Sequence, residues 1–337
     1  MEIVIAMPVF DDWESAALVC SAIDQQLRSI PEISAHILLI DDGSRNPIGS
    51  AFAALHLESV TGVLLLKLRR NLGHQRAIAI GLAYVHANLH CDAVLVMDAD
   101  GEDRPEDIPR LIGALQSSKT SVIVFAERGR RVESALFKVL YLCYRFLHYA
   151  VTGKGIKVGN FSLIPAECLN SVVSFPELWN HYAAAVLKSR IPHTMIRADR
   201  GYRLAGESKM NFVSLVIHGL SALFAYHEIV ATRMLIGTVL LTVSLFLLVA
   251  VMIVFRLTTS FAVPGWTTIV SGFSSVLIFQ SFAAALIIVF SVMMNRSSLG
   301  FLPLRDYTYF ISSCEPLVSM RTDAALSSVV EHDRVRA

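Results

Sequence analysis

Two apolar runs without a single charged residue, Met234 to Phe255 and Ile269 to Met294, constrain this chain more than any other feature. Each exceeds the roughly 18 residues that separate a bilayer-spanning helix from a buried core helix. Only Arg256 to Thr268, with Pro264 and Gly265, joins them. Before the first run, Met1 to Arg233 alternates strand-like and helix-like segments in the manner of a water-soluble α/β domain. The pattern therefore describes a soluble domain tied to a lipid bilayer by a helical hairpin.

Composition agrees. A mean hydropathy of +0.55 with 54% hydrophobic residues is too apolar for an ordinary soluble protein of 337 residues. The 29 basic and 28 acidic residues leave a net charge of +1, which argues against nucleic acid as a partner. Five dispersed cysteines form no C-x-x-C pair, so neither a disulfide framework nor a zinc site follows, and a reducing compartment fits the large domain. Met1 to Val9 holds Glu2 and runs into Pro8 and Asp11, so it reads as a first strand, not a leader. Arg233, Arg296 and Arg305 flank the hairpin outside its loop, which carries Arg256 alone. The positive-inside rule then places the N-terminal domain and the C-terminal tail in the cytoplasm.

Within the soluble part, short apolar runs each precede a helix-like segment. Ile3–Met7 leads to Trp13–Ser29, Ile37–Ile40 to Ile48–Leu57, Val63–Leu66 to Arg76–Ala87, and Ala93–Met97 to Ile108–Gln116. Val122–Ala126 leads to a long segment from Ser134. Such alternation predicts an α/β fold with a mostly parallel sheet covered on both faces. Ligands of these sheets bind beyond the carboxyl ends of the strands. Polar residues cluster there: Asp11 and Asp12; Asp41 to Ser44; Arg69 to Gln75; Asp98 to Asp103; Glu127 to Arg131. Turn chemistry explains any one cluster. Five strand ends in register point to a site.

Asp98-Ala99-Asp100 offers two carboxylates to a hard divalent cation that would also take substrate phosphates. Its plainer reading is a solvated turn with Asp100 or Asp103 capping a helix. Asp41-Asp42 fits either an Asx turn or a contact to a nucleoside. His74 suits positioning better than catalysis. Arg203 to Lys209 sets an Arg and a Lys beside Gly206 and Ser208, as a phosphate loop would, or as a basic flank to anionic headgroups. Phe212–Tyr226 repeats apolar residues at near-helical spacing and suits a helix lying in the headgroup plane. Ser312 to Ala337 reads as a flexible tail.

Met7-Pro8-Val9-Phe10, Asp41-Asp42-Gly43-Ser44, Arg70-Asn71-Leu72-Gly73-His74-Gln75, Met97-Asp98-Ala99-Asp100, Gly159-Asn160-Phe161 and Ala205-Gly206-Glu207-Ser208-Lys209 occur in this order before the two spans. As a set they resemble family 2 glycosyltransferases of the polyprenyl-phosphate sugar synthase type. The resemblance implies a GT-A (Rossmann-like) domain over 1–210, a juxtamembrane amphipathic helix over 211–233, spans at 234–255 and 269–294, and a cytoplasmic tail over 295–337. It implies inverting transfer of one sugar from a nucleotide-diphosphate sugar to polyprenyl phosphate, with Mg²⁺ or Mn²⁺ as cofactor and a homo-oligomer as the assembly.

By the same resemblance Pro8, Asp12, Asp42, Gln75 and Ala99 would bind the nucleotide sugar. Asp98, Asp100 and Asp103 would form the catalytic acidic set, with Asp98 and Asp100 on the metal. Arg128, Arg131, Arg203, Ser208 and Lys209 would bind phosphates. The chain departs from the family's pattern at Asp11-Asp12, Gly101, Glu102 and Arg104. Asn160 stands where relatives often carry Asp, and an amide cannot act as a base. A polysaccharide synthase is disfavoured because no Q-x-x-R-W string occurs. A silent scaffold for lipid-sugar export is disfavoured by the intact acidic pair and by spans whose polar residues are limited to Gln280 and a few Ser and Thr.

Overall fold

The computed structural model describes residues 1–53, 55–118, 120–128, 146, 149–150, 152–153, 158–206, 221, 225–258, 265–297 and 300–319. The chain divides into two compact units. One comprises Met1–Tyr141, Ile156–Ala225 and Phe301–Ala337, the other Leu142–Gly155 and Tyr226–Gly300.

The first unit is built on eight strands: β1 Glu2–Val9, β2 Ser34–Asp41, β3 Val60–Leu68, β4 Ala93–Val96, β5 Ile123–Arg128, β6 Val158–Pro165, β7 His193–Ala198 and β8 Ile311–Ser319. Their order across the sheet is β7-β5-β6-β4-β1-β2-β3-β8. The β1–β2, β1–β4, β2–β3 and β5–β7 pairs run parallel. The β3–β8, β4–β6 and β5–β6 pairs run antiparallel. The sheet is thus mixed and mostly parallel, of the Rossmann-like kind expected, and β6 sits between β4 and β5 where strand alternation alone predicts direct succession.

Helices α1 Trp13–Leu27, α2 Ser50–Ala53, α3 His74–Asn88, α4 Ile108–Gln116, α5 Ala166–Val173 and α6 Tyr182–Ser189 belong to this unit, with shorter helical turns beside them. The segment expected to be helical from Ile48 to Leu57 forms only the four-residue α2. Central strands bury both faces and so read as near-continuous apolar runs. Ile3, Ile5, Met7 and Val9 of β1 join α1 and α4 in one core. Val4 and Ala6 join α3, α5 and α6 in the other.

The reading of Ser312 onward as a flexible tail is corrected for its first residues. Ile311–Ser319 is β8, hydrogen-bonded to β3 at one margin of the sheet. Packing of the half-buried aromatics that precede it holds it there. Phe301 and Phe310 pack on Trp179 with ring centroids 3.7 and 5.2 Å away, and the Arg76 guanidinium covers the same indole at 5.0 Å.

The second unit contains α7 His227–Thr258 and α8 Trp266–Ser297, which pack against each other. Both are long and apolar enough to cross a membrane. They expose Leu247, Val251, Phe273, Phe279 and Phe290 by more than half. Apolar surface on that scale is costly in water and favourable in lipid. Most of 211–233, the expected amphipathic helix, lies outside the described residues, as does most of the segment from Ser134 to Val151.

Candidate active site

The loops at the carboxyl end of the central strands are fastened to one another by side-chain carboxylates. Asp11, at φ +49°, accepts from the Arg45 and Asn46 amides at 2.7 and 2.8 Å, and its own amide donates to Ser44 Oγ at 2.8 Å. Asp41 Oδ1 accepts from the Ser44 amide, so the Asx-turn reading of Asp41 holds. Asp42 is 2% exposed, and its two oxygens accept from the Leu72 and Gly73 amides at 2.7 and 2.8 Å. Burial drives its carboxyl up to about 6, against the pull of those two amides and Arg76. Asp42 therefore ties the β2 loop to the β3 loop, a role beyond the nucleoside contact expected of it. Gly43 permits this approach. It lies at φ +73°, and a Cβ there would meet the Asn71 nitrogen at 2.6 Å.

Beyond β4, Asp98 and Asp100 project from a loop shaped by Asp103. Asp103 is 5% exposed and its Oδ2 accepts from the Asp98 amide at 2.9 Å. That bond gives Asp103 a part in shaping the loop beside the catalytic role expected of it. Ala99 is buried and adds no polar group of its own side chain, and Pro8 lies within β1, in register with Ile40. Asp100 Oδ1 accepts from the Glu102 amide at 2.9 Å. Its Oδ2 faces Arg203 Nη1 at 3.2 Å, while Arg203 Nη2 pairs with Asp12. A guanidinium thus bridges the carboxylates that follow β1 and β4. Burial first, and then the neighbouring Asp98 charge, raise the Asp100 carboxyl to about 6, with Arg203 and Arg200 pulling the other way.

The segment that carries Arg203 is stitched to the acidic loop along its length. The Gly201 amide donates to the Glu102 carbonyl at 2.9 Å and the Leu204 amide to the Asp100 carbonyl at 3.0 Å. Arg200 pairs with Glu102. Ser15 Oγ, on α1, donates to the Ala205 carbonyl at 3.0 Å. Gly101, at φ +87°, leaves room for this crossing, since a Cβ would stand 2.5 Å from Leu204 Cγ.

On the other side, Gln75 at the start of α3 is 7% exposed. Its Oε1 accepts from the Tyr182 amide at 2.6 Å, and its Nε2 stands 3.0 Å from Asn160 Oδ1 and 2.9 Å from His74 Nε2. Asn160 Nδ2 donates in turn to Asp98 Oδ1 at 3.4 Å. Gln75, expected to line the nucleoside pocket, is therefore inside a polar network that reaches Asp98. The sequence signalled nothing of Tyr182, Ser15 or Arg200, whose contributions are backbone contacts or partners distant along the chain.

Of the expected phosphate contacts, Arg203 faces the acidic loop and Arg128 ends β5. Arg131, Ser208 and Lys209 lie outside the described residues. Among the described residues no three His, Cys, Asp or Glu stand close enough to hold an ion by themselves. Asp98 and Asp100 nevertheless fit a Mg²⁺- or Mn²⁺-like ion, which is commonly held by one or two carboxylates and completed by phosphate oxygens and water. The Arg203 guanidinium between Asp12 and Asp100 shows that the position attracts positive charge.

Residues 5–164 match the family model described as glycosyl transferase family 2. The chain carries a glycosyl transferase family 2 domain. That domain contains most of β1, all of β2 to β5, most of β6 and the whole acidic loop. The bactoprenol glucosyl transferase of Shigella phage SfX is 28% identical over 215 residues, 63% of this chain and 68% of that protein. The undecaprenyl-phosphate 4-deoxy-4-formamido-L-arabinose transferase of Erwinia tasmaniensis is 25% identical over 221 residues, 63% and 64% of the two chains. The chain thus spans about two thirds of the length of these relatives. A solved mannosyl-3-phosphoglycerate synthase from Rubrobacter xylanophilus matches 68% of this chain and 73% of its own at a TM-score of 0.49 and 15% identity.

Proposed function

We propose that this glycosyltransferase moves one sugar from a nucleotide-diphosphate sugar to polyprenyl phosphate, with inversion, at the cytoplasmic face of a bacterial inner membrane. The observation that carries the reading is the Asp98–Asp100 loop facing Arg203 at the carboxyl edge of the sheet, in a chain that also has two lipid-length helices. The names of its relatives support the same acceptor class. The lipid phosphate oxygen attacks the anomeric carbon as the bond to the departing diphosphate breaks. A phosphate monoester is already anionic near neutral pH, so Asn160 in place of a carboxylate removes no base the reaction needs. Asp98 and Asp100 would hold Mg²⁺ or Mn²⁺, which supplies charge neutralisation for the diphosphate.

Asp12, Pro8 and Gln75 would border the donor, and Asp42 would hold the loops around it. Arg128, Arg131, Arg203, Ser208 and Lys209 would bind donor and acceptor phosphates, Arg203 by leaving its carboxylate partners for the diphosphate. The apolar helices keep the enzyme on the bilayer where its acceptor lives, as a homo-oligomer. Membranes containing the protein are to be incubated with polyprenyl phosphate and a panel of labelled UDP-, GDP- and other activated sugars. Lipid-linked label that disappears with Asp100→Asn is the expected result; no labelled lipid with any donor refutes the proposal.

A further inference from the structure

The polarity of the network beside Asp98 is dictated from outside the site. The Tyr182 backbone N–H, at the start of α6, can only donate. At 2.6 Å it forces the oxygen of the Gln75 amide toward itself. Gln75 Nε2 is then turned inward, and its two hydrogens go to Asn160 Oδ1 and to His74 Nε2, at 3.0 and 2.9 Å. His74 Nε2 consequently accepts. With its oxygen taken, Asn160 can offer Asp98 only its NH₂ group, 3.4 Å from Oδ1. Gln75 and Asn160 are 7% and 4% exposed, so solvent does not readily substitute for either partner.

We propose that Gln75 is a positioning residue: through Asn160 it aims a hydrogen-bond donor at Asp98 and so orients that carboxylate toward the metal-bound diphosphate. The inference deepens the sugar-transfer reading and rests on it. It also gives a reason for an amide at 160. A carboxylate there would accept from Gln75 equally well and turn a second negative charge on Asp98.

Gln75→Glu tests the relay while leaving the fold its anchor. A carboxylate at 75 still accepts from the Tyr182 amide but cannot donate to Asn160. Asn160 must then reverse its amide and set an oxygen against Asp98. Mn²⁺ is titrated by calorimetry into the full chain in detergent micelles, with saturating inorganic pyrophosphate as a base-independent stand-in for the donor. Wild type is expected to bind. Gln75→Glu and Asn160→Leu should each weaken Mn²⁺ roughly tenfold, the scale of losing one hydrogen bond to a charged group. The double variant should be no weaker than Asn160→Leu alone, because Gln75 reaches Asp98 only through Asn160. Melting temperatures measured without Mn²⁺ report any structural damage separately. Wild-type binding with unchanged affinity in Gln75→Glu, or additive losses in the double variant, overturns the relay alone. A wild-type chain that binds no Mn²⁺ with pyrophosphate refutes the metal-diphosphate reading and the relay with it.

Discussion

Replacing Arg203 by Met should move the acidic limb of the enzyme's pH profile upward. In the free enzyme burial and Asp98 hold the Asp100 carboxyl at about 6, so about 90% of molecules carry the charge at pH 7. Arg203, with Nη1 3.2 Å from Asp100 Oδ2, is the nearest cation opposing that rise. Removing an adjacent guanidinium raises an aspartate by roughly one to three units. At the lower end of that range, with a pKa of about 7 to 8, only about a half to a tenth of the molecules are ionised at pH 7. The dependence of kcat/KM on pH reports groups of the free enzyme. Wild type should therefore lose activity as pH falls through about 6. Arg203→Met should lose it one to two units higher and recover part of its deficit at pH 8.5 to 9. Initial rates of lipid-linked sugar formation between pH 5 and 9 measure this. A lower rate with the limb unmoved would mean that Arg203 serves only as a phosphate contact, and the electrostatic reasoning would fail.

Asp24 offers a test of stability away from the site. Burial pushes its carboxyl up, but bonds from the Val60, Ser59 and Glu58 amides and from Arg28 outweigh that and hold it below 3.8. Asp24→Ala strands those donors and should cost about 3 kcal/mol in chemical denaturation. Because the folded carboxyl is depressed, its stabilisation is full above about pH 4 and is lost as pH falls through the folded value, so the mutant should show less acid sensitivity than wild type. Gly43→Ala forces a side chain into the left-handed region and against the Arg70–Asn71 backbone, and should cost about 2 kcal/mol or more while weakening donor binding in a nucleotide titration. Ending the chain at Gly300 removes β8 and the Phe301–Trp179–Phe310 cluster. It should lower the melting temperature of the first unit by about 6–12 °C, as a loss of roughly 3 kcal/mol does in a domain of this size.

What could be read directly was whatever leaves a periodic or local trace. Uninterrupted apolar runs of bilayer length form long helices, so α7 and α8 followed from the residues. β1 to β5 followed from short apolar runs ended by Asp, Gly or Arg, and their carboxyl ends marked the site because βα loops emerge there. The reach of Arg203 to Asp12 and Asp100 could not be read, since 191 and 103 positions separate the partners. Nor could the sheet positions of β6 and β8, which depend on pairing and not on composition.

The sequence by itself determined the reaction class and the pair of long apolar helices, because both rest on contiguous residues whose chemistry is set by type and spacing. Only the tertiary structure decided what each polar side chain does. Asp42 and Asp103 brace loops because backbone amides from neighbouring turns reach them, and Gln75 aims Asn160 because a helix 107 residues away presents its amide. Hydrogen-bond direction is a property of three-dimensional neighbours, and no one-dimensional pattern carries it.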